Sequence, residues 1–231
     1  MQIKDRVIVI TGASAGIGFE TAKYLASKGA KLVLAARSKD KLESMAKSLP
    51  DAIAVQTDMR NSADVKKLID QAIKKYGRID ILINNAGQGI YGPLEKINVE
   101  DFKQVMELNV YGVLEAMQAV IPQMRTQGGG MILNVSSGVS RRYIPGLAAY
   151  ASTKYALNAL TFTAHQELEK DNIIVTTILP KMTATDFGKN AIGSRPDFSG
   201  RPGALPEVDP PEKVAEKIAE LIETEQTELV L

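Results

Sequence analysis

Tyr150-Ala-Ser-Thr-Lys154 is the stretch of this chain best equipped for proton chemistry. Residues four apart share one face of a helix, so the phenol and the ammonium stand one turn from each other. A free phenol titrates near ~10 and a Lys ammonium near ~10.4. A neighbouring cation favours phenolate, so Lys154 is expected to draw the Tyr150 pKa down towards the working range. A phenol tuned this way gives a proton to a carbonyl oxygen or takes one from an alcohol. Spacing alone does not single the pair out, because Tyr24-Leu-Ala-Ser-Lys28 has the same pattern. An exposed helix turn bearing two long side chains would also look like this, so the surroundings must decide.

The elements that would position the pair are legible as alternating apolar runs and helical patterns. The strand runs are Arg6 to Thr11, Lys31 to Ala36, Ala52 to Thr57, Ile79 to Ile83, Met131 to Val135, Ile173 to Leu179 and Glu228 to Leu231. The helical patterns are Phe19 to Ser27, Lys39 to Leu49, Ser62 to Tyr76, Asp101 to Met124, Tyr150 to Lys170 and Pro211 to Glu223. The fourth of these is expected to be one long helix, kinked or interrupted near Pro122. Apolar strands separated by helices predict a parallel sheet covered on both faces. Right-handed crossovers then make it a Rossmann-type, doubly wound α/β fold of about seven strands. The expected organisation is a single domain over residues 1–231, with a Gly- and Pro-rich substrate loop at about 183–211.

Composition removes several classes of function. The formal net charge is +1, so no strong field recruits nucleic acid or an anionic membrane. There is no Cys, hence no disulfide, thiolate metal site or Cys nucleophile. The single His, His165, cannot build a multi-His site and is expected to be a solvated helix residue. Neither a signal peptide nor a bilayer-length apolar run is evident, and a cytoplasmic location is expected.

The first strand runs into Thr11-Gly-Ala-Ser-Ala-Gly-Ile-Gly18, and a helix follows. Such a turn brings backbone N–H groups to a pyrophosphate at a helix N-terminus. At the end of the second strand an NAD site usually carries an acid that accepts from the ribose 2′-OH. This chain has Ala36, Arg37 and Ser38 there. An Arg fork holds a 2′-phosphate that an acid would repel, so the expected coenzyme is NADP(H). Asp40, close by, is expected to serve as an N-cap.

Taken in order, Thr11 to Gly18, Asn84-Asn-Ala-Gly87, Asn109, Ser137 and Tyr150-x-x-x-Lys154 resemble the short-chain dehydrogenase/reductases. The resemblance spans essentially the whole chain, and it favours Tyr150, which has Ser137 thirteen residues before it. It implies an NADP(H)-dependent oxidoreductase moving a hydride between the nicotinamide and a small carbonyl or secondary alcohol. Tyr150 would be the general acid or base, Ser137 would hydrogen-bond the carbonyl, and Lys154 would hold the nicotinamide ribose and lower the phenol pKa. Asn109 would support a water linking Lys154 to solvent. Gly12, Ser14, Gly16, Ile17 and Gly18 would line the pyrophosphate, with Asp58 facing the adenine. Asn85, Ala86 and Gly87 would pass the adenosine ribose, with Val110 towards the adenine, and Thr185 would reach the carboxamide region.

Two departures bear on the coenzyme. Lys181 stands where many relatives have Gly after the Pro that ends the sixth strand, and Ala15 stands where many NADP-linked relatives carry a second base. On the substrate side, Phe187 and Phe198 are expected apolar contacts, with Tyr143, Ile144, Pro145 and Leu147 as the opposite wall and Arg141 and Arg142 exposed. The apolar surface of the helix around Phe102 to Met124 exceeds what one sheet-facing stripe needs, which suggests a homodimer or homotetramer. Two other readings are a regulatory or scaffold protein that binds the cofactor without turnover, and a sugar-nucleotide epimerase. The first could dispense with Tyr150 or Lys154, and this chain has both; the second carries a Gly-x-x-Gly-x-x-Gly turn that this chain lacks.

Overall fold

Val7–Thr11 (β1) is apolar on both faces up to its final Thr, and it lies near the middle of a seven-stranded parallel sheet. The computed structural model of the chain describes residues 1–194 and 207–231. The other strands are Lys31–Ala36 (β2), Ala52–Gln56 (β3), Ile81–Asn84 (β4), Gly130–Val135 (β5), Ile173–Leu179 (β6) and Glu228–Val230 (β7). Their order is β3-β2-β1-β4-β5-β6-β7. The chain therefore reverses its direction of winding between β1 and β4. In an open parallel sheet that reversal leaves a crevice at the carboxyl ends of the strands, where ligands bind.

The helices are Gly16–Ser27 (α1), Lys39–Ser48 (α2), Ser62–Tyr76 (α3), Val99–Met106 (α4), Gly112–Thr126 (α5), Ala148–Leu168 (α6) and Pro211–Thr224 (α7). Strand side chains alternate between faces, so each strand feeds two cores. Ile8, Ile10, Leu32 and Leu34 pack with Leu25, Leu42, Val214 and Ile218, under α1, α2 and α7. Val9, Val33 and Val55 pack with Leu68, Val113, Ala116 and Leu157, under α3, α5 and α6. Local signals agree with the boundaries: Asn61 caps α3 by accepting from Ala63 and Asp64 N–H, and Gly77 ends it at φ 75°.

Four expectations are corrected. The long helix is interrupted not at Pro122, which lies inside α5, but at a π-turn over Glu107–Tyr111. Ser38, not Asp40, holds the N-cap position of α2, without a side-chain cap bond, and Asp40 lies in the first turn. His165 is half-buried on α6 rather than solvated, with a buried Nδ1. Tyr143 is 92% exposed and stacks on Tyr155 at 6.0 Å, away from the phenol of Tyr150. Of the expected substrate loop, Phe198, Gly200 and Gly203 lie outside the described residues. Among the described residues no helix is long and apolar enough to cross a membrane.

Candidate active site

The carboxyl ends of β1, β4 and β5 bring the sequence-selected residues to one crevice. Gly12 leaves β1 at φ 65°, and a Cβ there would lie 2.8 Å from Ala86 Cα. Gly18, on the first turn of α1, has no room for a Cβ against the Gly12 carbonyl oxygen. The turn is thus pressed against the Asn84–Gly87 stretch, and its backbone stays bare towards the crevice. Thr11 and Asn85 hold the two strand ends together. Asn85 Nδ2 donates to the carbonyls of Thr11 (2.9 Å) and Gly12 (3.2 Å), while Thr11 Oγ1 accepts from the N–H groups of Asn85 and Ala86 at 3.0 Å each. Thr11, which heads the glycine-rich motif but carries no expected role of its own there, is the hub of this junction. Its signal was available, as a hydroxyl at the last position of a strand.

Asn109 sits at the centre of the π-turn, fully buried. Its Oδ1 accepts from Gln88 N–H at 2.9 Å, and its Nδ2 donates to Gln88 O at 2.9 Å and to Thr153 Oγ1 at 3.1 Å. The extra residue in a π-turn re-aims the side chains that follow it. Here it turns the amide onto the loop after β4 and ties that loop to α6. Val110 is buried beside it. A Cβ on Gly87 would lie 3.3 Å from Asn109 Oδ1 and 3.8 Å from Lys154 Nζ, so both groups border the same bare stretch of backbone.

Ser137 follows β5 in extended backbone, and its Oγ accepts from Val139 N–H at 3.3 Å. The Ser137 side chain acts on the Tyr150 hydroxyl and favours its ionised form. Lys154, one turn along α6 and 4% exposed, donates to Val135 O at 2.9 Å. Its Nζ lies 6.0 Å from the Tyr150 ring centroid. The Tyr24–Lys28 pair has the same spacing on α1, but Lys28 is exposed.

The electrostatics differ from the expectation that Lys154 lowers the phenol. Burial pushes the Tyr150 pKa up, the nearby Tyr91 adds to the rise, and Ser137 only partly opposes them. Burial also lowers Lys154 from 10.5 to about 8. Desolvation governs both groups here, because the ammonium bonds the Val135 carbonyl and not the phenol hydroxyl. The phenol therefore keeps its proton across the neutral range, the state required of an acid.

A lysine held below its ordinary value destabilises the fold wherever it must carry its charge. Between about 8 and 10.5 the unfolded chain binds more protons than the folded one, so stability rises with pH. We expect wild type to gain about 1.5 kcal/mol relative to Lys154→Met between pH 8 and 9.5, a difference in which the titration of the unfolded chain's Tyr residues cancels. Chemical denaturation of both proteins across that range checks it. Parallel curves would mean that Lys154 titrates as an ordinary lysine.

Towards the adenine end, Asp58 is paired with Arg60 at 2.6 Å, which holds its carboxyl below the usual range, with Arg37 contributing. Arg37 and Ser38 are exposed at the end of β2, and Ser14 and Ile17 line the turn half-exposed. Thr185 stands over Gly16: a Cβ on Gly16 would be 3.1 Å from the Thr185 methyl. Lys181 ties down both ends of the excursion after β6, through Glu207 at 2.6 Å and Asp209 at 3.8 Å. The bare glycine cradle, the bordering Lys154 and the exposed Arg37 fit a dinucleotide.

The family model described as short chain dehydrogenase matches residues 6–195. An uncharacterized oxidoreductase of Staphylococcus saprophyticus is 42% identical over 189 residues, covering 80% of this chain and 77% of that one. A short-chain dehydrogenase/reductase from Burkholderia phymatum, solved with NAD, is 27% identical and superposes with a TM-score of 0.89 over 100% of this chain and 90% of that one. An alcohol dehydrogenase from Thermococcus sibiricus, solved with 5-hydroxy-NADP, is 31% identical with a TM-score of 0.85, over 99% and 96% of the two chains.

Proposed function

This chain belongs to the short-chain dehydrogenase/reductase family, and we propose that it is an NADP(H)-dependent oxidoreductase acting on a carbonyl or secondary alcohol. The observation that carries the reading is buried Tyr150, with Ser137 acting on its hydroxyl, one helical turn from buried Lys154 and beside a bare glycine cradle. The bound nicotinamide supplies or takes the hydride. Tyr150 gives its proton to the carbonyl oxygen in reduction and takes it back in oxidation. Ser137 donates to the same oxygen as charge develops on it. Lys154 would hold the ribose hydroxyls of the bound coenzyme, and its charge there would stabilise the phenolate left when Tyr150 gives up its proton. Asn109 positions the loop after β4 and supports the water that connects Lys154 to solvent. Gly12, Ser14, Gly16, Ile17 and Gly18 would take the pyrophosphate, Asp58, Asn85, Ala86, Gly87 and Val110 the adenosine, and Thr185 the carboxamide end. A regulatory role without turnover is disfavoured, since it needs no buried lysine beside the phenol. The half-exposed Phe102, Met106, Leu114 and Ile121 and the exposed Tyr111 on α4, the π-turn and α5 favour a homo-oligomer, which light scattering measures.

The assay that tests the reading is a carbonyl panel with NADPH and NADH, followed at the coenzyme's absorbance. NADPH is expected to be preferred, because Arg37 is exposed beside Ala36 and the Ser38 hydroxyl is not spent on a cap. A charge-assisted bond of this kind contributes about 1.5–3 kcal/mol, or about one to two decades in kcat/KM. Ala36→Asp should reverse the preference, by accepting from the 2′-OH of NADH and repelling the phosphate of NADPH. Arg37→Ala should weaken NADPH alone. Equal wild-type values for the two coenzymes at fixed ionic strength would overturn the coenzyme assignment.

A further inference from the structure

The ring of Tyr150 is enclosed by two aromatic side chains that no motif predicts together. Tyr91, from the loop after β4, meets it edge-on, with ring centroids 6.3 Å apart and planes at 81°. Phe187, from the excursion after β6, lies against it at 5.7 Å and 55°. Ile90, Ala149 and Val105 are buried in the same cluster, with Ile97, Val139 and Ile192 packed on it. Phe187 and Tyr91 are held in place by backbone. Tyr91 N–H donates to Ile192 O and Ile192 N–H to Gly89 O, both at 2.9 Å, and Phe187 N–H donates to Thr185 Oγ1 at 3.3 Å. Gln88 Nε2 adds a bond to Asn190 O at 2.9 Å. The two loops thus meet as one unit over the phenol, which is 7% exposed.

Among the described residues, two cations of the flanking segments are engaged in ion pairs. Arg141 is paired with Glu228, and Lys189 with Asp186 at 2.6 Å. Buried Lys154 donates to Val135 O. A carboxylate or phosphate brought between these rings would exchange its water for the apolar side chains of this cluster, which is costly. A flat apolar group would instead take the ring contacts that Phe187 and Tyr91 now make with Tyr150.

From this enclosure we infer that Tyr91 and Phe187 restrict the substrate to uncharged carbonyls flanked by a flat apolar group, and exclude those bearing an anion next to the carbonyl. The inference rests on the oxidoreductase reading for its chemistry, in which a ketone, a reduced nicotinamide and a proton give a secondary alcohol and the oxidised nicotinamide. Its own content is the pocket. The discriminating pair is acetophenone and phenylglyoxylate, which share the phenyl ring and differ by methyl against carboxylate. The oxo acid is the more electrophilic, so preference for the ketone reports on the pocket and not on reactivity. We expect kcat/KM for acetophenone to exceed that for phenylglyoxylate at least tenfold. Phe187→Ala should raise KM for acetophenone about tenfold with a smaller change in kcat, and Phe187→Leu should recover most of it. Calorimetry on the coenzyme complex of Tyr150→Phe gives a second readout, with acetophenone binding more tightly than phenylglyoxylate. Faster turnover of phenylglyoxylate overturns the inference and leaves the oxidoreductase reading intact. Binding of acetophenone without turnover by wild type overturns the catalytic reading and supports the pocket. Binding of neither, or tighter binding of phenylglyoxylate, overturns the pocket.

Discussion

Tyr150→Phe is expected to lower kcat about a thousandfold, within the range of about 10²–10⁴ that a positioned proton donor contributes. The substitution removes one oxygen and keeps the ring. The ring keeps its packing against Tyr91 and Phe187, so the pocket survives. What disappears is the hydroxyl on which Ser137 acts. Because burial holds that hydroxyl in its protonated form, the loss is one of a ready acid, and raising the pH of the assay will not compensate. Coenzyme affinity should stay within about twofold, since Lys154 and the glycine cradle are untouched. Net stability should change by about 1 kcal/mol or less, the usual worth of one hydrogen bond. Tyr24→Phe is the matched control: it changes the same spacing on α1, where the lysine partner is exposed, and should leave kcat unchanged. Steady-state kinetics and fluorescence titration with the coenzyme separate the two effects. A Tyr150→Phe enzyme retaining a third of wild-type kcat would remove Tyr150 from the mechanism.

The same comparison shows what the chain discloses in its order of residues and what it does not. The strands were legible because each is a short apolar run bounded by Gly, Pro or a cap. Residues 62–76 match α3 because Asn61 and Gly77 mark both ends. The π-turn at 107–111 was not legible. Its residues have ordinary helical character, whereas Pro122 advertises a break that α5 accommodates, with Thr126 Oγ1 donating to the Pro122 carbonyl. Spacing placed Tyr150 and Lys154 on one helix face, but the balance between attraction and desolvation depends on burial, which only the packed α6 reveals. Tyr143 is close to Tyr150 in sequence and was read as a pocket wall. It stacks outward on Tyr155, and the wall comes instead from Tyr91 across the sheet. Contacts of that kind join distant stretches and leave no periodic trace. The roles of Lys181 and Thr11 are likewise tertiary, one tying the ends of an excursion and the other the ends of two strands.

Gly18→Ala is expected to destabilise the fold by about 3 kcal/mol and to weaken coenzyme binding at least tenfold. Gly18 has an ordinary helical backbone, so the cost is not conformational; a methyl on α1 would favour helix slightly. The obstacle is space. A Cβ would overlap the Gly12 carbonyl oxygen, which is backbone, and would reach Asn85 Nδ2. Neither neighbour can step aside cheaply, because Asn85 Nδ2 is held by the carbonyls of Thr11 and Gly12. Overpacking of a tight contact costs about 1–3 kcal/mol, and leaving the Asn85 amide unpaired adds about 1–3 kcal/mol. For a chain of this size that corresponds to roughly 6–12 °C in Tm. The local remedy is for α1 to move away from β1, and that opens the turn whose N–H groups would face the pyrophosphate. Stability and coenzyme affinity therefore fall together, whereas Tyr150→Phe separates them from turnover. Gly188→Ala is the control, since a Cβ there meets nothing within 4 Å. Thermal melts with and without coenzyme make the measurement. A Gly18→Ala protein that melts with wild type and binds coenzyme normally would show that α1 does not press on the turn, and the cradle would lose its place in the site.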